Sequence, residues 1–227
     1  ELVRYSDSRP SIMNTAMNKS LVNDIKVTGS IASGNGAIYA SSYLCLFGGK
    51  ITADSDILVT TAWGGVKFTG DVNAHGHVVS CYVGCDDSGL GGMIFAGAVD
   101  ADLRKITTVN PPDWQGQRPV VLEGVSTNPD CTLDVEWSSS ISLSAACEWS
   151  GTNIVVDGAT AARASGGDKT ARLKLQAGNN LSDAAVIRTL NGGLVEIASG
   201  VRVKVAALYV DGVRQPSGTY TAAKLPK

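Results

Sequence analysis

Charge is what this sequence has least of. Lys, Arg, Asp and Glu make 18% of its residues and leave a formal net charge of −2. So neutral a chain gives no electrostatic reason to expect nucleic acid or an anionic membrane surface as partner, and both are disfavoured. No apolar run approaches the ~18 residues that span a bilayer as a helix, so no membrane span is expected. Aromatics are also few, at 6%. Any core must therefore be filled by Val, Ile, Leu and Ala. The first residues, ELVRYSDSRP, show neither a Met nor a charged-then-apolar leader. A mature or trimmed fragment of a secreted protein is expected.

Signatures of chemistry are missing in the same way. Gly34-Asn35-Gly36 and Gly64-Gly65 lack the Lys-Ser/Thr pair of a phosphate-cradling loop. Ser88, Ser138 to Ser140 and Ser165 have no nucleophile-elbow context. His75 and His77 are the only histidines. They would put two imidazoles on one strand face, as a metal site wants, but a surface turn is the preferred reading. Asp54 and Asp56, Asp86 and Asp87, and Asp100 and Asp102 are close pairs. Such pairs suit Ca²⁺ or glycoside cleavage, yet Asp-rich turns bond their own backbone and need neither. Trp63, Trp114, Trp137 and Trp149 would make a sugar-stacking platform if Trp137 and Trp149 share a face; packing explains each singly. The expectation is a non-enzyme with no catalytic residue, cofactor or metal.

What the chain does have is Gly, 26 residues in 227, and 44% hydrophobics arranged with a period of two. The clearest stretch is Leu190 to Ala222. Val195 and Ile197 flank Glu196; Val201, Val203 and Val205 alternate with Arg202 and Lys204; Leu208 and Val210 flank Tyr209. Alternation marks strands with one face buried. The runs break at Ser199-Gly200, Ala206-Ala207 and Asp211-Gly212. Short strands and permissive turns in quick succession build the rungs of a coil or a flattened sandwich. The fold expected is all-β, a right-handed parallel β-helix (β-solenoid), with a β-sandwich or jelly roll as the alternative.

The end of that stretch, Val210-Asp211-Gly212-Val213, Gln215-Pro216 and Ser217-Gly218-Thr219-Tyr220-Thr221, carries a family pattern. Residues 190 to 225 resemble the C-terminal segment of secreted proteins with autotransporter-associated β-strand repeats. The resemblance implies an extracellular solenoid-like surface or filament protein, and it transfers no active site. In that pattern a last strand follows a Leu-Pro, whereas this sequence stops at Leu225-Pro226-Lys227.

Residues 1 to 24 read as an N-terminal arm or cap, polar and without sustained alternation. Met13, Met17 and Leu21 at four-residue steps after Pro10 predict a short helix over 11–22. Residues 25 to 227 read as the solenoid domain. Strand candidates there include Ile57–Thr61, Val66–Thr69, Thr132–Trp137, Ile154–Val156 and Arg172–Leu175. A Pro-rich excursion near 110–119 interrupts them, since three prolines cannot lie in a central strand. Of the five cysteines, Cys131 and Cys147 flank a strand pair and are expected to bridge in an oxidising compartment. Cys45 reads as a buried thiol, and Cys81 and Cys85 as a turn clip.

The function expected is an extracellular structural subunit that polymerises with copies of itself by strand pairing. Leu2, Val3, Ile12, Met13 and Met17 of the arm would meet Val203, Val205, Leu208 and Val210 at an open solenoid end. A carbohydrate-binding or carbohydrate-cleaving β-helix, with a surface polysaccharide as partner, is the alternative.

Overall fold

The computed structural model describes residues 3–5, 9–14, 20–21, 24–27, 37–40, 44–61, 65–83, 92–106, 119–126, 128–136, 139–158 and 170–220. Every regular element among them is a strand, and the whole is a β-solenoid.

The chain opens with β1 (Val3–Tyr5) and β2 (Arg9–Asn14), paired antiparallel. It then winds through courses of three sides. The first courses are β3 (Ser20–Leu21), β4 (Ile25–Val27) and β5 (Ala37–Ala40), then β6 (Leu44–Phe47), β7 (Ile51–Ala53) and β8 (Ile57–Thr61). In the next two, one long strand serves both the second and third sides. These are β9 (Gly65–Phe68) with β10 (Val72–Val83), and β11 (Met93–Phe95) with β12 (Val99–Ile106). After them come β13 (Val120–Leu122), β14 (Val125–Ser126) and β15 (Thr132–Glu136), then β16 (Ser140–Leu143), β17 (Glu148–Trp149) and β18 (Asn153–Asp157). The last are β19 (Arg172–Leu175) with β20 (Val186–Leu190), and β21 (Leu194–Ile197) with β22 (Ala207–Val210) and β23 (Val213–Arg214).

First-side strands pair in parallel as an eight-stranded sheet, β3-β6-β9-β11-β13-β16-β19-β21. The third side is the long path of a 13-stranded sheet that also bends onto the second side. The bend is visible in β10. Its Val72 and Asn73 pair with β7, while Val79 to Val83 pair with β8, the strand that follows β7. Between them, at His75-Gly76-His77, the register against β12 also shifts. One corner of the coil lies there.

Inward residues of successive courses stack into columns, which is how a chain with so few aromatics fills a core. Phe47, Phe68 and Phe95 lie opposite one another in register, with ring centroids 5.1 and 4.9 Å apart. Leu122, Leu143 and Leu175 continue the column. Ile57, Val79, Leu103, Leu133, Ile154 and Ile187 form another on the third side, all buried. Each such side chain contributes roughly 1.5–3 kcal/mol on burial. Outward neighbours, such as Thr132, Asp134 and Glu136 on β15, stay half-exposed, and the strand reads in-out by residue. At the corner from first to second side the courses touch backbone to backbone. A Cβ on Gly97 would lie 2.3 Å from the Gly70 carbonyl oxygen, and one on Gly70 would lie 2.2 Å from that of Gly49. Only glycine fits such a column.

Two expectations change, and a third lies outside the described residues. The helix over 11–22 gives way to β2 and β3, because Ser11 to Asn14 find a ladder on β5 and Ser20 and Leu21 one on β6. Tertiary pairing overrides the local four-residue spacing. Val201 to Val205 alternate as expected between half-buried valines and exposed Arg202 and Lys204, but form no strand. They run along the second side, where Gly178 approaches the Arg202 carbonyl without a ladder. The Pro-rich excursion lies outside the described residues except for Pro119, which leads into β13.

Candidate functional site

A stack of parallel courses ends in unpaired backbone, so the ends are where it meets other molecules. The two sheets end differently. On the third side β1 closes one end and β23 the other, each antiparallel to its neighbour. On the first side β21 pairs only with β19, and among the described residues nothing covers its other edge. Leu194 and Ile197 on this strand are 44% and 47% exposed. Ile197 stands in the Leu175 column, a core position that no further course covers among the described residues.

The residues expected to mediate assembly are distributed as follows. Leu2 and Met17 lie outside the described residues. Val3 sits in β1 and Ile12 and Met13 in β2, all hydrogen-bonded within the chain's own sheet. Val203, Val205 and Leu208 pack partly buried against the core. Leu208 and Val210 belong to β22, which β20 flanks on one side and β23 on the other. The structure therefore gathers the C-terminal four at one end, with the arm strands built into the opposite end. Leu194 and Ile197 were not singled out from sequence. Ile197 shares the alternation of Val195, whereas Leu194 stands opposite Arg172 on the outer face, and exposure at an end depends on which course comes last.

Cys131 and Cys147 are not bridged; both are buried thiols. The expected disulfide fails because the coil carries them to opposite ends of the second side. Cys131 lies at the entry to β15, its Sγ 3.8 Å from Asp100 Oδ1, and Cys147 lies between β16 and β17. Burial, then the charge of Asp100, pushes the Cys131 thiol up to about 11. Burial, then Glu148, pushes Cys147 to about 12. Neither is a nucleophile near neutral pH. Cys81 is likewise a buried thiol, which removes the turn clip to Cys85; the side chains of Cys45 and Cys85 lie outside the description.

Polar groups concentrate at two corners. Between second and third sides, Asp100 Oδ1 meets His75 Nδ1 at 3.1 Å and accepts from Asn128 Nδ2 at 2.8 Å. His77 Nδ1 faces Asp56 Oδ1 at 3.6 Å, and Asp56 accepts the Val78 N–H. Between first and second sides, buried Asn180 accepts from the N–H groups of Gln176 and Ala177 and donates to the carbonyls of Ser144 and Cys147. Its four bonds satisfy a corner that no glycine column serves.

Neither Trp149 nor the carboxylates of the second side stand free for carbohydrate. Trp149 is 2% exposed and offers no ring face, and Trp63, Trp114 and Trp137 lie outside the described residues. A shallow groove on the second side holds Glu148, Asn179, Ser182 and Asp183. Its carboxylates are already engaged, Glu148 by Asn179 at 2.6 Å and Asp183 by Lys204 at 2.5 Å. Comparison with protein-family models, curated proteins and solved structures gave no match in any of the three.

Proposed function

We propose that this chain is a non-catalytic, extracellular structural subunit that assembles with copies of itself through β-strand pairing. The observation that carries the reading is β21. It is the last strand of an otherwise continuous ladder, paired on one edge and presenting Leu194 and Ile197. Natural sheets guard such edges with charges, Pro or a covering segment, and Glu196 is the only charge within this strand. A further course seated there would restore the ladder and bury Ile197 as its column mates are buried. The likeness of residues 190 to 225 to autotransporter-associated repeat proteins supports the extracellular, surface-bound part of the reading.

The test is sedimentation velocity with electron microscopy on the intact chain and on Ile197→Lys and Leu194→Lys. The intact chain is expected as large particles or fibres. Each lysine is expected to suppress them while far-UV circular dichroism keeps its strand spectrum. An intact chain that stays monomeric at high concentration overturns the proposal. A carbohydrate-cleaving protein would instead leave shortened glycan chains after incubation.

A further inference from the structure

The chain's two histidines flank one glycine at the corner where β10 passes from second to third side. We infer that His75 and His77 form a two-imidazole site for a divalent transition metal ion of the copper, nickel and zinc group. Gly76 takes φ +74°, and a Cβ there would meet nothing within 4 Å, so the turn stands clear of the surface. The side chains of His75 and His77 are 67% and 39% exposed.

Both rings are steered through Nδ1 by carboxylates from different courses. Asp100, one course on, lies 3.1 Å from His75 Nδ1, and Asp56, one course back, lies 3.6 Å from His77 Nδ1. The two carboxylates are themselves held, Asp100 by Asn128 Nδ2 at 2.8 Å and Asp56 by the Val78 N–H at 2.9 Å. A carboxylate at Nδ1 favours the tautomer with its lone pair on Nε2, the usual support behind a metal-bound imidazole. The Asn128 amide oxygen accepts the Asp130 N–H, so its NH₂ faces Asp100 and also lies 2.9 Å from His75 Nδ1. With the ring proton on Nδ1 toward Asp100, the Asn128 NH₂ bonds Asp100 alone, and the Nε2 lone pair is left to the ion.

The donor set selects the ion. Cys131, whose Sγ lies 3.8 Å from Asp100 Oδ1, is buried and its thiol is pushed up to about 11, so it offers no thiolate. Among the described residues no three His, Cys, Asp or Glu side chains are grouped to share an ion, and water completes the shell. Two imidazoles with water suit Cu²⁺ first, then Ni²⁺ and Zn²⁺, while Mg²⁺ and Ca²⁺ require oxygen ligands.

The experiment titrates Cu²⁺ into the intact, chelator-stripped protein by calorimetry and reads the bound ion by electron paramagnetic resonance. One ion per chain with two imidazole nitrogens is expected. His75→Ala and His77→Ala should each weaken binding about 100-fold, because either loss ends the chelate. Asp100→Asn, which keeps both ligands, should weaken it about 10-fold. Circular dichroism should be unchanged in all three, and excess Mg²⁺ should displace nothing. The site is refuted if the double variant H75A/H77A binds as tightly as the intact chain. It is also refuted if only one of the two single variants loses affinity, or if Mg²⁺ displaces the ion.

Discussion

Replacing Asp134 by Asn should stabilise this protein at neutral pH and not at pH 4. Asp134 projects from the outer face of β15, with Glu136 on the same strand; its side chain is 26% exposed. Burial, then the negative charge of Glu136, raises its carboxyl from 3.8 to about 6, and Asp157 adds to the rise. Arg104 opposes it weakly, because its guanidinium is spent on Glu136 and stands 3.8 Å from Asp134 Oδ2. Asp134 Oδ1 is buried without a hydrogen-bond partner. The rise of about 2 pH units corresponds to about 3 kcal/mol, which solvent screening at a partly exposed site reduces to about 1–2 kcal/mol. A folded pKa above the unfolded one means that the native state holds the proton more tightly. The stabilisation from that proton is complete below about pH 4 and lost as pH rises through about 6, so ionised Asp134 destabilises the fold above that. Asn carries no charge at any pH. Urea unfolding of both proteins, followed by circular dichroism at pH 4, 5, 6 and 7.5, should show D134N ahead by about 1–2 kcal/mol at pH 7.5 and level at pH 4. A variant less stable than the intact protein at pH 7.5 would mean that the Arg104 contact dominates. A gap independent of pH would refute the titration account altogether.

Two other outcomes follow from the corners and the core. Asn180→Ala strands two N–H groups and the Cys147 carbonyl at one corner, while the Ser144 carbonyl keeps the Cys147 N–H, and urea unfolding should register a loss of about 3 kcal/mol; a loss under about 1 kcal/mol would show that water replaces the side chain there. Iodoacetamide should modify Cys131 and Cys147 about 100-fold more slowly in the native protein than in urea, given their burial and raised pKa values. A Cys131–Cys147 linked peptide from unreduced native material would instead contradict the separation seen between them.

Strands were legible where their own residues alternate. Ile57–Thr61 and Arg172–Leu175 appear with the bounds the alternation predicts, because a half-buried strand writes its inner face into every second residue. The second side was not legible. Two-residue strands such as Val125–Ser126 and Glu148–Trp149 are too short to show a period. Which course stacks on which depends on how many residues each connection spends. Val78 meets Asp56 across 22 residues, but His75 meets Asp100 across 25 and Asn128 meets His75 across 53. No fixed spacing in the sequence announces those contacts, which is why His75-Gly76-His77 reads from sequence as a bare surface turn. Asn180 was hidden for a related reason, since an asparagine beside Gly178 and Asn179 looks like an ordinary loop until the neighbouring course presents its carbonyls.

The order of sides has a bearing on how such a protein can change over generations. Connections 84–91, 107–118 and 159–169 all leave the end of a third-side strand and re-enter at a first-side strand. On either side of each, the ladders resume in the same alignment. Phe95 faces Leu122 across one connection and Leu143 faces Leu175 across another. The coil thus has a seam, a longitudinal line at which several segments of unequal length are accommodated while the stack keeps its alignment. Length can vary there without asking any core column to repack. The glycine corner is the opposite case, where one added methyl group meets backbone. New recognition loops, whether inherited or grafted, belong on the seam.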